Sequence, residues 1–174
     1  MDAQLVHLCE MLGSPDKDTR KQAENYYVQY RATDLNQLLR SLLHMIGTQP
    51  NPVSPLAKAM ACILLRQLFD PSVQGGVDAA TTAIDAAVLQ ELRHGLVEAV
   101  TNEPEPEFRS KLCHVLAQVA ATVPPDSTWP ELLQLTAQLM GGSTAEHRDC
   151  LLYTSDAADD MQCVDLGGRR IIKK

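Results

Sequence analysis

An all-α chain folded as a stack of helical hairpins is predicted by three observations. The 174 residues are 45% hydrophobic but only 4% aromatic, with leucine and alanine prominent, which suits packed helices better than sheets of aromatic and β-branched side chains. Apolar residues recur in segment after segment at i, i+3, i+4, i+7, the period of a helix with one buried stripe. Those segments come in pairs punctuated by Pro, Gly, Ser and Asp, and the pairs recur at roughly 40-residue intervals.

The first helix carries Leu5, Leu8, Cys9 and Leu12, and Gly13-Ser14-Pro15-Asp16 breaks it. Ser14 is the expected N-cap and Pro15 the expected first residue of a second helix bearing Ala23, Tyr26, Tyr27 and Tyr30. A second pair follows: Asp34 caps Leu35, Leu38, Leu39, Leu42 and Ile46, and Pro55 opens a helix with Ala57, Met60, Ala61, Leu64 and Leu68 in one stripe. Ile63 and Leu65 widen that stripe, as expected of a helix with neighbours on both flanks. Residues 70–82, with Pro71 and Gly75-Gly76, read as a long loop.

A third pair has Val88, Leu89, Leu92, Leu96 and Val100, then a turn from Thr101 to Pro106, then Phe108, Leu112, Val115, Leu116 and Val119. Glu103, Glu105 and Glu107 at that helix start complement its macrodipole; an acidic cluster there could also touch a basic cargo. A fourth pair begins near Thr128, with Pro130 in its first turn and Leu132, Leu135 and Leu139 on one face; Gly141-Gly142 ends its first helix, and Ser143 with Glu146 forms a capping box for the next. The expected units are 1–33, 34–69, 83–123 and an incomplete 127–149. No hairpin can bury both its faces alone, so an α-solenoid with a binding surface along one row of helices is the expected architecture.

Composition and motifs narrow the function. A net charge of -7 disfavours direct nucleic-acid binding, which needs clustered Lys and Arg. No basic, apolar leader opens the chain, and the longest apolar run, Ala59 to Leu65, is far short of the roughly 20 residues of a membrane span, so no membrane insertion is expected. Cys9, Cys62 and Cys113 stand singly in helical stripes and are expected to be buried, reduced thiols rather than disulfides or zinc ligands. GxSxG, GxxxxGK[ST], HExxH and Rossmann glycine patterns are missing, and Cys113 and His114, as neighbours on one helix, point about 100° apart. No catalytic residue, metal site or cofactor is therefore expected.

Particular words of the sequence carry a family resemblance. Ser14-Pro15-Asp16 with Arg20-Lys21-Gln22-Ala23-Glu24, the segment Ala61-Cys62-Ile63-Leu64-Leu65-Arg66-Gln67-Leu68, Lys111-Leu112-Cys113 and Trp129-Pro130-Glu131-Leu132-Leu133 resemble, in order and register over residues 1–149, the opening HEAT repeats of importin-beta nuclear transport receptors (karyopherins), most closely the importin-five branch. That resemblance implies a receptor that binds Ran-GTP through its N-terminal repeats, carries protein cargo with basic localisation signals, meets nucleoporins, and shuttles between cytoplasm and nucleus. It also implies that the second helix of each early repeat faces the concave side. Lys58 and Arg66, at the basic positions of that helix, are then the candidate Ran contacts, while Arg66 also fits a solvated surface residue. A HEAT-repeat scaffold such as a phosphatase regulatory subunit is the alternative.

The resemblance stops at Cys150. The string Cys150-Leu151-Leu152-Tyr153-Thr154-Ser155-Asp156-Ala157-Ala158-Asp159-Asp160 resembles a translated transposon-end sequencing adapter, and Val164 to Ile172 the flow-cell anchor beyond it. Residues 150–174 are therefore expected to be a non-native, disordered tail whose Arg169-Arg170 and Lys173-Lys174 only imitate a localisation signal.

Overall fold

The computed structural model describes residues 3–47, 53–70, 73, 84–122 and 129–141. They form seven helices: α1 (Ala3–Leu12), α2 (Lys17–Thr33), α3 (Leu35–Ile46), α4 (Pro55–Leu68), α5 (Ala86–Asn102), α6 (Pro106–Ala121) and α7 (Pro130–Gly141). The all-α prediction and the pairing into successive hairpins hold. Most of loop 70–82, the Thr128 cap, the Ser143–Glu146 capping box and the tail lie outside the described residues.

Local chemistry sets the helix ends. Asp34 is both the last stop of α2 and the cap of α3, its carboxylate accepting from the Gln37 N–H at 2.9 Å, so two helices are joined by one residue. Ser54 caps α4 by accepting from the Ala57 N–H at 3.3 Å, just ahead of Pro55, whose missing N–H costs nothing in the first turn. The expected start of α2 needs correction. Asp16, not Ser14, is its cap: the Asp16 carboxylate accepts from the Thr19 N–H at 2.8 Å, while the Ser14 hydroxyl accepts from the Asp16 N–H at 3.2 Å. A serine two residues short of the helix closes a local turn instead, and Arg20 ties that turn down by donating to the Ser14 and Pro15 carbonyls.

Packing arranges the helices in two rows. α3, α5 and α7 stack in one, with α2 against α3, and α4 and α6 stack in the other. In the second and third hairpins the second helix thus shares a row with its counterpart, as expected of repeats. The first hairpin departs from this: α1, its first helix, is the one packed against α4. The reason is in the side chains. α1 offers Leu5, Leu8, Cys9 and Leu12, all buried, whereas α2 buries only Ala23 and Tyr27 and has no apolar stripe to cover α4.

α4 is the most enclosed helix, lying against α1, α3 and α6. Ala57, Ala61, Leu64 and Leu65 are fully buried there, and Cys62 and Lys58 are buried as well, while the expected core residue Ile63 is only partly covered. Gly95 of α5 lets α3 approach: a Cβ there would stand 2.9 Å from the Leu43 side chain. Cys9 and Cys62 are free and buried, as expected, and burial pushes each thiol up to about 12, so neither is a thiolate at neutral pH. Cys113 is disulfide-bonded, against the expectation of a reduced thiol.

Candidate docking face on α4 and α6

The two predicted contact residues sit on α4, where α6 lies alongside. Two contacts fix the register of these helices. At one end the Lys58 ammonium stands 5.4 Å from the centroid of the Phe108 ring; at the other the Gln118 side-chain amide donates to the Phe69 carbonyl at 2.8 Å. The helices therefore run parallel, and Arg66, one turn before Phe69, lies level with the middle of α6.

The structure treats Lys58 and Arg66 unequally. Lys58 is only 8% exposed, its stem packed in the core and its charge set over an aromatic face, a contact worth about 0.5–2 kcal/mol depending on desolvation. Arg66 is half-buried on the solvent side of α4, in line with Ala59, Ile63 and Asp70. The two side chains are thus on one helix but not on one open surface.

Two further polar side chains, one of them a cation, stand near Arg66 in the neighbouring repeat. Lys111 is exposed and His114 half-buried on the solvent side of α6. Burial first, and the Arg66 charge second, hold His114 below the usual imidazole range, which places the guanidinium close enough to act on the ring. Lys111 and Lys58 both act on Cys62 beneath. A reading based on motifs misses Lys111 and His114 as partners of Arg66, because the signal is a register between helices about fifty residues apart.

The acids near this face lie toward its ends. Glu107 is in the first turn of α6, and Glu103 in the connection before it accepts from Arg109 through its backbone carbonyl at 2.9 and 2.6 Å. Neither Glu105 nor Asp85 makes a side-chain cap bond, so at these helix starts the acids act by charge alone. Among the described residues no group of three or more His, Cys, Asp or Glu could hold a metal, and no helix is long and apolar enough to cross a membrane. A separate groove of about 560 Å³ between α1 and α2 is lined mainly by Leu5, Leu8, Met11, Ala23, Tyr26 and Tyr30. It is mainly apolar, with Gln4, His7, Gln22 and Asn25 as its polar lining.

No protein-family model matches the chain. The chain is similar to a probable importin-5 homolog of Dictyostelium discoideum, 26% identical over 90% of this chain, and to importin subunit beta-1 of Arabidopsis thaliana, 28% identical over 69% of it. It spans 14% of the length of each of these curated relatives. Among solved structures its fold is similar to that of Kap121p, with a TM-score of 0.68 and 23% identity over 84% of this chain and 13% of that one in the structure bound to RanGTP. Kap121p has also been solved bound to Nup53p, Ste12p and Pho4p. Paired helices stacked in two rows, the same fold in Kap121p, and two importin relatives matched along most of the chain give this protein its likeness to the importin-beta superfamily.

Proposed function

We propose that these repeats are the Ran-binding N-terminal part of a nuclear transport receptor. The observation that carries this reading is the run of similarity to two importins over a stack whose α4–α6 face leaves Arg66 open beside α6. Arg66 is the proposed direct contact. Lys58 contributes its charge from beneath and holds α6 in register through Phe108. The longer receptor carries protein cargo with basic localisation signals, meets nucleoporins, and shuttles between cytoplasm and nucleus; the Kap121p complexes with RanGTP, Nup53p, Ste12p and Pho4p support partners of these kinds. A docking role needs no catalytic residue or cofactor.

Binding of purified Ran loaded with GTP or GDP tests this. The receptor that begins with these repeats binds the GTP form at least tenfold more tightly; equal binding of both forms, or none of either, overturns the reading. The units 1–33, 34–69, 83–123 and 127–149 are proposed as repeats of that receptor, and 150–174 as a segment foreign to it. A transcript read across the Asp149 codon tests the latter: further leucine-patterned hairpins support it, and a native codon series for Cys150 to Lys174 refutes it.

A further inference from the structure

Most other arginines among the described residues have a hydrogen-bond, ion-pair or ring partner. Arg20 donates to the Ser14 and Pro15 carbonyls, Arg40 is paired with Glu91 at 2.8 Å, Arg109 donates to the Glu103 carbonyl, and Arg93 stands 5.6 Å from the Trp129 ring centroid. Among the described residues the Arg66 side chain makes no hydrogen bond, ion pair or ring contact, and the same is true of the Lys111 and His114 side chains on α6. The chain holds 22 acidic against 15 basic residues, so carboxylates are in excess; at this face Asp70 and Glu107 lie at its ends.

We propose that Arg66, Lys111 and His114 form one composite site, spanning the second and third repeats, that takes an acidic segment of a protein partner. This deepens the reading above, because it rests on the α4–α6 face receiving a protein. The guanidinium of Arg66 presents a planar fork suited to two carboxylate oxygens, and its half-buried position leaves less side-chain freedom to lose on binding. Lys111 adds a mobile point charge from the adjacent helix, and a neutral His114 still offers one ring N–H. The rows set the geometry: with α4 and α6 parallel, Arg66 lies level with the middle of α6, the stretch that carries Lys111 and His114 one turn apart. Complementarity of charge selects the occupant, since the rest of this acidic chain repels it.

The test uses the full chain and a labelled decapeptide of alternating Glu and Gly, with the matching Lys peptide and single-stranded RNA as comparators. Binding of the Glu peptide weakens as salt rises, falls about tenfold in Arg66→Ala and about threefold in Lys111→Ala, and is unchanged in Lys21→Ala on α2. Arg66→Lys, which keeps the charge without the fork, recovers part of the loss; circular dichroism checks that each variant keeps its helices, and the exposed Lys111→Glu serves if Arg66→Ala does not. Equal binding by wild type and both alanine variants, or a preference for the Lys peptide or the RNA, overturns the proposal. Ran binding by the same variants in the longer receptor separates the two readings. Preference for Ran-GTP with no effect of Arg66→Ala or Lys111→Ala on any probe leaves the Ran reading standing and removes the acidic site. Loss of the Glu peptide with no Ran preference does the reverse.

Discussion

α2 and α4 show how little helix length says about burial. α2 is the longer, 17 residues against 14, but it buries only Ala23 and Tyr27, while α4 buries eight residues including a lysine. α4 has helices on three sides; α2 lies at the edge of the stack, with Tyr26 70% and Val28 55% exposed. In a linear stack, the position of a helix decides how much of its surface meets protein, and its sequence has to match that position.

The largest effect that separates the two helices comes from the core of α4. Leu64→Ala removes a fully buried side chain and costs about 2–5 kcal/mol, whereas Val28→Ala on the open side of α2 stays within about 0.5 kcal/mol; thermal melts of both variants make the comparison. Equal losses would mean that α2 is covered by something other than the packing described. A smaller loss follows from capping. Ser54→Ala deletes the cap of α4 and the 2.9 Å hydrogen bond its hydroxyl donates to Glu10 of α1, costing about 1 kcal/mol and loosening α1 from α4, which amide exchange in α1 reads directly.

Acid distinguishes the same regions by where the loss begins. His114 on α6 has a folded-state pKa below the ordinary 6.5, so the unfolded chain binds its proton first and stability falls as pH drops below that value. Asp16, the cap of α2, has its carboxylate lowered from 3.8, first by the Thr19 hydroxyl and then by the Thr19 N–H. Its contribution is present above 3.8 and disappears only as pH falls through the lower folded value. Denaturant titrations between pH 7 and 3 therefore show a first decline that His114→Gln removes and a later one that Asp16→Ala removes. The smallest effect is at Gly95. An alanine there gains about 1 kcal/mol of helix propensity but pushes on Leu43, whose half-exposed side chain has room to turn; a melting temperature within about 2 °C of wild type is expected, and a large drop would show that Leu43 is locked.

How far the sequence could be followed depended on the range of the signal. The stripes of α1, α3 and α6 were legible residue by residue, because a helical period is a local property and their buried leucines coincide with it. Tyr26 was not, since three tyrosines in phase cannot reveal that one side of α2 has no neighbour. At the candidate site the sequence supplied Arg66 and Lys58 through a family likeness. It gave no warning that Lys58 is covered by Phe108, or that Lys111 and His114 stand beside Arg66.

The sequence by itself determined the helices, their caps within a residue or two, and the repeat spacing, all of which follow from backbone propensity, turn chemistry and one-dimensional periodicity. Only the tertiary structure decided that α1 rather than α2 meets α4, which cations are enclosed and which are open, and which repeats share a face. These depend on the lateral register between helices far apart along the chain, which is set by the sum of many side-chain contacts across the stack and has no counterpart in any single segment.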